Sequence, residues 1–228
     1  MLPRVLEPEV MESAEEAQDY DAMDHSQVNR MFVDDLLAAI QTLSLLSGGS
    51  YRVFDAGTGT ALIPIELVGR GGSLSVVAAD AADEMLQLAR QNIARSGISQ
   101  QITTALVDCK RIADANGAYD IVMSNSIIHH IPEPFAVLAE LVRILRPGGL
   151  LFIRDLFRPE TDGEVERLVA LYAGGSNPHQ QQLFRQSFHA ALTVDEVRQL
   201  VAPLDIPGDA VRATSDRHWT LAWQKPEA

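Results

Sequence analysis

The sequence contains 228 residues, of which 46% are hydrophobic and 21% charged, with a formal net charge of −13. This length and balance suit a single α/β domain with additional segments. The acidity disfavours nucleic acid as a partner, because an acidic surface repels the phosphate backbone. The longest apolar runs have the length of strands, so we expect no membrane insertion.

Cysteine usage and the N-terminal sequence bear on the cellular compartment. Cys109 is the single cysteine, so these residues form no intrachain disulfide, which fits a reducing environment. The first residues are rich in acids and lack the continuous apolar stretch of a secretion signal. We therefore expect a cytoplasmic protein. For its oligomeric state we expect a monomer or a homodimer.

Residues 1–48 are predicted to form an N-terminal arm and a helical cover. The acidic stretch 1–24 indicates an extended arm followed by a short helix. A long helix is predicted to begin at Ser26, a good N-cap, and to stop before Gly48 and Gly49. Its apolar residues recur at helical spacing: Val28, Phe32, Leu36, Ala39 and Leu43.

Residues 49–228 are predicted to form one doubly wound domain, because short apolar strands alternate with amphipathic helices. Strands this continuously apolar are typical of a parallel sheet covered on both faces. The predicted strands are Tyr51–Asp55, Leu74–Ala79, Ile102–Val107, Tyr119–Ser124 and Leu150–Asp155. The predicted helices are Thr60–Val68, Asp83–Ser96 and Glu133–Leu145, the last stopped by Pro147-Gly148-Gly149.

The last third of the sequence departs from this alternation. Residues 160–192 are interpreted as a helical insertion or lid, with a helix over Thr161–Tyr172 and a polar, Gln-rich loop over Gly174–Ser187. A further helix is predicted over Thr193–Val201. Two strands, Ala210–Thr214 and His218–Gln224, are predicted to form an antiparallel hairpin at the edge of the sheet.

The most informative segment is the turn between the first strand and the first helix of the domain, residues 55–61, called the glycine turn below. Gly57 and Gly59 allow a close backbone approach to a ligand at the usual crevice of a doubly wound fold. A dinucleotide would require a third glycine where Leu62 stands. The Asp55 carboxylate would repel a diphosphate and attract a cationic amino group. The turn therefore suits the aminocarboxypropyl end of a sulfonium ligand.

Two further acids follow the next two strands. Asp80 lies where an acid accepts hydrogen bonds from both hydroxyls of a ribose, and Asp108 lies where a carboxylate accepts one from an adenine amine. Either residue alone could simply cap a helix or a turn. Three acids at three consecutive strand ends, together with the glycine turn, favour ligand binding.

Residues 51–155 resemble the core of the class I AdoMet-dependent methyltransferases, of the type that methylates ubiquinone and menaquinone precursors. The segments that carry the resemblance are Asp-Ala-Gly-Thr-Gly at 55–59, Ala-Asp-Ala-Ala-Asp-Glu-Met-Leu at 79–86, Tyr-Asp-Ile-Val-Met-Ser-Asn-Ser-Ile-Ile-His-His-Ile at 119–131, and Leu-Arg-Pro-Gly-Gly-Leu-Leu-Phe-Ile at 145–153. The resemblance implies a mostly parallel, Rossmann-like, seven-stranded sheet with an antiparallel C-terminal hairpin. It also implies S-adenosyl-L-methionine (AdoMet) as cofactor and S-adenosyl-L-homocysteine (AdoHcy) as product.

The predicted cofactor-binding residues combine the strand-end acids with the motif positions. They are Asp55, Ala56, Gly57, Thr58, Gly59, Asp80, Ala81, Met85, Asp108, Cys109, Asn125 and Tyr20. Tyr20 belongs to a polar and aromatic cluster with Asp21, Met23, Asp24 and His25, which is interpreted either as a cover over the site or as part of an acidic tail.

Candidate substrate-handling residues follow the fourth and fifth strands. His129 is the candidate general base, because the ordinary pKa of histidine lies near neutrality. His130, Ser126, Arg154 and Asp155 are substrate candidates, although Arg154 and Asp155 could instead belong to internal ion pairs. No metal site is predicted, since adjacent histidines are expected to point in different directions. Arg185, His189, Arg217 and His218 are weaker candidates, and His218 more naturally belongs to the sheet edge.

The sequence thus predicts an enzyme that transfers a methyl group to a small molecule by in-line displacement. Because the donor is already activated, alignment and desolvation supply most of the rate, and a catalytic constellation is not required. An AdoMet-binding protein without methyl transfer, or with another use of the cofactor, is the alternative. A nicotinamide-dependent oxidoreductase is disfavoured by Asp55 and Leu62. The acceptor cannot be read from the sequence.

Overall fold

The computed structural model describes residues 2–7, 21, 25–42 and 49–227. The strands are β1 (Tyr51–Ala56), β2 (Leu74–Asp80), β3 (Ile102–Leu106), β4 (Tyr119–Asn125), β5 (Leu145–Leu156), β6 (Val211–Ala213) and β7 (His218–Gln224). The helices are α1 (Ser26–Thr42), α2 (Leu62–Gly69), α3 (Asp83–Ser96), α4 (Pro134–Ile144), α5 (Asp162–Ala173), α6 (Pro178–Ala190) and α7 (Val194–Val201). No helix within these ranges is both long and apolar enough to span a membrane.

The strands form one sheet of seven, in the order β3-β2-β1-β4-β5-β7-β6. β1 pairs in parallel with both β2 and β4, and β2 pairs in parallel with β3. β6 and β7 are antiparallel, with Val211 opposite Leu221. From β1 the chain builds the sheet first toward β2 and β3 and then, on the other side of β1, toward β4 and β5. The ligand crevice of such sheets usually lies at this switch point, at the ends of β1 and β4. The predicted fold class is confirmed.

The chain divides into two compact units. The first, called the glycine-turn unit, comprises Val10–Asn125, Ala136–Ile153 and Ala222–Ala228. Its core packs the apolar face of α1 with the sheet strands, and Phe32 meets Phe152 edge-on at 5.2 Å between ring centroids. Phe32 and Leu36 are fully buried, as their helical spacing predicts. Leu43, the last apolar residue of the predicted helical pattern, and Gly48, the first residue of the predicted stop, lie outside the described residues.

The second unit, called the histidine unit, comprises Met1–Glu9, Ser126–Phe135 and Arg154–Leu221. A separate apolar cluster holds it together, built from α5, α6 and the end of β5, and Leu2 packs against this cluster. Phe188 is fully buried in this cluster, and the centroid of the Phe184 ring lies 4.6 Å from that of Phe188.

The loop predicted over residues 174–187 is wrong, because α6 occupies most of it. Asn177 forms a capping box with Gln180, and Pro178 stands in the first turn, where its missing N–H costs nothing. Phe184 and Phe188, one turn apart, give this polar helix its buried stripe. Four of the thirteen residues of this helix are glutamines, and this polar composition hid the helical pattern.

The predicted start of β5 at Leu150 is also wrong, because the strand begins at Leu145. Gly148 N donates to Lys225 O at 2.8 Å, and Lys225 N donates to Gly149 O at 2.9 Å, so the Pro-Gly-Gly segment pairs with the chain beyond β7. A positive φ of 70° at Gly148 lets the strand bend there. The preceding helix therefore ends at Ile144, before the proline.

Phe188→Ala should destabilise the protein by about 3–5 kcal/mol, because it leaves a cavity in the small core of the histidine unit. Phe184→Ala is the matched control, since its ring is only partly buried and should cost clearly less. Urea unfolding followed by circular dichroism measures both. Equal losses for the two variants would contradict the assignment of Phe188 as the central residue of this core.

Candidate functional site

The glycine turn has an unusual run of left-handed backbone. Gly57, Gly59 and Ala61 have φ values of 70°, 56° and 63°. Glycine adopts this conformation freely, whereas for alanine it costs roughly 1–2 kcal/mol. The neighbouring strand fixes the turn: Thr58 N donates to Ala79 O at 2.9 Å, and Gly59 N donates to Asp80 Oδ2 at 2.8 Å.

Asp80 connects this turn to the start of α3. Its Oδ1 accepts from Ala82 N at 2.9 Å, so both carboxylate oxygens bind backbone N–H groups. Burial raises the pKa of Asp80, while these hydrogen bonds act in the opposite direction. The N–H of Ala81 also interacts with this carboxylate. Because a carboxylate offers roughly four acceptor positions, capacity remains for a ribose hydroxyl. The role of Asp80 as ribose acceptor stays a prediction.

Asp55 is the buried acid of the glycine turn, with 2% of its surface exposed. Burial, with a contribution from the charge of Asp80, raises its pKa to about 7. A ligand cation beside Asp55 would favour the ionised carboxylate and offset the cost of burying it. This electrostatic environment suits the amino group of an amino acid moiety.

The ends of the first three strands converge on Cys109. This thiol is buried, and burial together with the carboxylates of Asp80, Asp108 and Asp55 raises its pKa to about 12. Asp108 is exposed and its Oδ1 accepts from Lys110 N at 2.9 Å, which is the turn-capping role that the sequence left open. Its second oxygen extends the acceptor set of the site.

The remaining predicted cofactor residues border the same strand ends. Ala56 is fully buried, Met85 is 5% exposed on the first turn of α3, and Ala81 links β2 to that helix. Asn125 Oδ1, at the end of β4, is buried and has no hydrogen-bond partner within the described parts of the chain. A ligand donor would satisfy this acceptor. The residues present therefore fit the cofactor that the sequence resemblance implies.

Most of the N-terminal polar cluster, including Tyr20, Met23 and Asp24, lies outside the described residues. Asp21 is described, and its Oδ1 accepts a hydrogen bond of 3.0 Å from Asn92 Nδ2. The same amide donates to the carbonyl of Thr60 in the glycine turn at 3.2 Å. This contact supports the prediction that the N-terminal segment covers the cofactor site, which stays a prediction.

In the histidine unit, the chain after β4 begins with strained backbone. Ser126 has a φ of 59°, a left-handed conformation unusual for serine, and its N–H donates to Arg154 O at 2.9 Å. Backbone strain of this kind concentrates at functional sites. A short 3₁₀ helix, Ile128–His130, follows directly.

His129 is buried on this short helix and bound to Asp155. Its Nδ1 lies 2.5 Å from Asp155 Oδ1, and its backbone N–H donates to Asp155 Oδ2 at 3.1 Å. Burial alone would lower the pKa of His129, but the Asp155 carboxylate raises it overall. This pairing fixes the ring on its Nδ1 side, and the general-base role of His129 stays a prediction.

The expectation that His129 and His130 point in different directions is wrong. Their rings lie 4.2 Å apart, tilted by 33°, and both approach the carboxylate of Glu7. The tight 3₁₀ turn brings the neighbouring side chains together. Sequence reasoning missed Glu7, because nothing in the N-terminal arm indicates which part of the fold it joins.

The other candidates have structural partners in the histidine unit. Buried Arg154 donates from Nε to Thr220 Oγ1 at 3.0 Å. The weaker candidates have these contacts: Arg185 with Glu166 at 2.5 Å, His189 with Asp162 at 3.7 Å, Arg217 over the Tyr172 ring at 3.4 Å, and His218 Nδ1 with Ser215 Oγ at 3.0 Å. Burial lowers the pKa of His218 to about 4, in keeping with its place in the sheet.

The sequence of this chain is similar to those of known proteins. Residues 53–149 match the model described as "Methyltransferase domain". The malonyl-[acyl-carrier protein] O-methyltransferase of Laribacter hongkongensis is 31% identical over 211 residues, an alignment that covers 82% of this chain and 70% of that protein. The chain belongs to the class I AdoMet-dependent methyltransferases.

Other relatives match the cofactor core alone. The ubiquinone biosynthesis O-methyltransferase of Parvibaculum lavamentivorans is 32% identical over 109 residues, covering 47% of this chain and 41% of that protein. The match thus spans less than half the length of that relative. The predicted enzyme class and the cofactor, AdoMet, are confirmed by the family.

Solved structures share the fold over nearly the whole chain. A Methanococcus maripaludis protein assigned as an S-adenosyl-L-methionine-dependent methyltransferase superposes with a TM-score of 0.71, covering 98% of both chains at 16% identity. The [4+2]-cyclase SpnF superposes with a TM-score of 0.60, covering 99% of this chain and 89% of its own at 14% identity. At these identities the similarity concerns the fold alone.

Replacing Asp80 with alanine should weaken binding of AdoHcy to the methyltransferase about thirty- to several-hundred-fold. Two charge-assisted hydrogen bonds to the ribose would be lost, at roughly 2–4 kcal/mol in total. Asp83→Ala, which removes an exposed acid three residues further on, is the matched control and should bind normally. Calorimetry measures both, and unchanged affinity in a folded Asp80→Ala protein would place the ribose elsewhere.

Binding of AdoHcy should weaken as the pH falls below about 7, approaching about tenfold per pH unit, because the ligand amino group requires ionised Asp55. Because the folded-state pKa lies above the ordinary value of 3.8, ionised Asp55 destabilises the ligand-free fold, and this cost is fully present only above about pH 7. Asp55→Asn should therefore flatten the affinity profile and stabilise the ligand-free protein at pH 8, by up to roughly 4 kcal/mol. Calorimetry across pH 5.5–8 tests this, and a flat profile for the unmodified protein would refute it.

Proposed function

We propose that this methyltransferase transfers the methyl group of AdoMet to an oxygen of a small acidic acceptor, with a carboxylate as the favoured group. The observation that carries the methyl-transfer reaction is the convergence of Asp55, Asp80 and Asp108 around the glycine turn. The choice of oxygen rests on the two relatives described above, both of which are O-methyltransferases by name.

A carboxylate acceptor is favoured over a phenol by the extent of the similarity. The relative named for malonyl-[acyl-carrier protein] aligns over 82% of this chain, which extends beyond the cofactor core. The match to the ubiquinone enzyme covers 47%. Substrate-determining residues lie outside the shared core in such folds, so the longer alignment carries more weight.

The cofactor, when bound, supplies a methyl group that its sulfonium already activates. In the glycine-turn unit, Asp55 would bind the amino group of the cofactor, Asp80 its ribose and Asp108 its adenine. Orientation of this kind converts methyl transfer to an effectively unimolecular step. An ionised carboxylate is already nucleophilic, so its methylation requires no general base. This agrees with a His129 imidazole that is held by Asp155.

Incubation with AdoMet labelled in its methyl group and a malonyl thioester tests the proposal. The product should carry label that mild alkali releases as volatile methanol, since a methyl ester hydrolyses and an aryl ether, N-methyl or C-methyl group does not. Asp80→Ala, which should bind the cofactor poorly, is the negative control, and Asp83→Ala should retain activity.

Two results would contradict the proposal. Label that enters a phenol-bearing quinone precursor as an alkali-stable product, with none in thioesters, would replace the carboxylate with a phenolic acceptor. AdoHcy binding without label transfer to any acceptor in a metabolite extract would support a cofactor-binding protein without methyl transfer.

A further inference from the structure

Three potential metal ligands meet in the histidine unit. Glu7 Oε1 lies 3.3 Å from His129 Nε2 and 3.2 Å from His130 Nδ1, and the three ligand atoms all lie within 4.8 Å of one another. The side chains of Glu7 and His129 are 7% and 4% exposed, and that of His130 is 20% exposed. The cluster is thus largely shielded from water and open on the His130 side.

The position of Glu7 is fixed by the residues before it. Arg4 donates to four main-chain carbonyls: Ala190 at 2.7 Å, Ile131 at 2.9 Å, His129 at 3.1 Å and Pro132 at 3.3 Å. Val5 N donates to His189 O at 2.9 Å, and Leu2 packs into the apolar cluster of this unit. These contacts hold the N-terminal residues against the 3₁₀ helix with Glu7 aimed at the histidines.

The two oxygens of Glu7 have different environments. Ser187 Oγ donates to Oε2 at 3.3 Å, which orients the carboxylate. Oε1 is buried and has no hydrogen-bond partner among the residues that the structure describes, although it faces both imidazoles. A buried carboxylate oxygen without a donor is costly, and a bound cation would satisfy it.

Asp155 holds the His129 ring in a fixed orientation. In the neutral imidazole, Nδ1–H donates to Asp155, so the lone pair of Nε2 faces Glu7. A carboxylate behind a metal-binding histidine is a recurrent arrangement, because it fixes the ring and makes the free nitrogen more basic. Asp155 also accepts from Leu156 N at 2.6 Å, so it is itself held in place.

We propose that Glu7, His129 and His130 form a binding site for a divalent transition metal, with zinc the best fit. Two imidazoles and one carboxylate are an established zinc ligand set. Metal–ligand bonds of about 2.0–2.1 Å in a tetrahedron place neighbouring ligand atoms about 3.3 Å apart, which the two distances to Glu7 Oε1 match. Water or an exogenous ligand would occupy the fourth coordination position of the metal.

The metal would join the N-terminal arm to the chain segment that follows β4. This inference does not rest on the proposed methyl transfer, because none of its ligands belongs to the cofactor-binding residues. The competing interpretation is a metal-free network in which a protonated His129 bridges Glu7 and Asp155. The two interpretations differ in whether stoichiometric metal binding depends on Glu7 and His130.

The test is calorimetric titration of the full chain, free of any affinity tag and stripped with EDTA, with zinc chloride. We expect one zinc ion per chain. Glu7→Gln and His130→Ala should each weaken zinc binding at least tenfold, a loss of about 1.4 kcal/mol or more. His179→Ala, which removes an exposed histidine of the same unit, is the matched control and should bind zinc normally.

Circular dichroism and AdoHcy binding show whether each variant is folded. If Glu7→Gln does not fold, the test relies on His130→Ala, because the His130 side chain is more exposed than that of Glu7. The absence of stoichiometric zinc binding by the unmodified protein overturns the proposal. Zinc affinity that is unchanged in both variants overturns it equally, since the ion would then bind elsewhere. AdoHcy affinity should be similar in the stripped and zinc-loaded protein.

Discussion

The cofactor site depends on a short stretch of left-handed backbone where β1 ends. Gly57, Gly59 and Ala61 turn the chain sharply enough to bring backbone N–H groups to the ends of the parallel strands. Asp80 then holds this turn by accepting from Gly59 and from Ala82. A side chain at either glycine would strain the turn, since both have a positive φ.

The same turn begins with a buried carboxylate, that of Asp55. Asp55 stands beside Asp80 in a water-poor environment, and the pKa of about 7 records the unfavourable energy of its charge. A buried carboxylate of this kind destabilises the ligand-free fold, but it favours the binding of a cationic group. Stability and binding thus impose opposite demands on one residue, as is common at functional sites.

Much of the glycine-turn unit follows from the sequence, for clear physical reasons. Buried parallel strands are continuous apolar runs, and helices such as α3 carry their own stop signal, here Gly97 with a φ of 77°. The acids at the strand ends could be anticipated because parallel strands end at a common edge. The proximity of these acids to Cys109 became visible only in the structure.

The histidine unit was harder to predict, because its key contacts join segments far apart in the chain. Glu7 and Arg4 both contact His129, which lies more than 120 positions further along the chain, so no local pattern marks either residue. The prediction of a loop where α6 lies was wrong for another reason. Asn177 and Gln180, which cap this helix, are polar residues that are also common in loops. The turn that aligns His129 and His130 is too short to leave a periodic pattern.

Attachment of the N-terminal arm through Arg4 has an evolutionary consequence. Its four acceptors are main-chain carbonyls, which every amino acid supplies, so side chains at Ala190, Ile131 and Pro132 can change without removing an acceptor. Arg4 itself has no such freedom, since lysine lacks the branched set of donors. Related sequences are therefore expected to tolerate variation along the receiving surface while retaining an arginine in the arm.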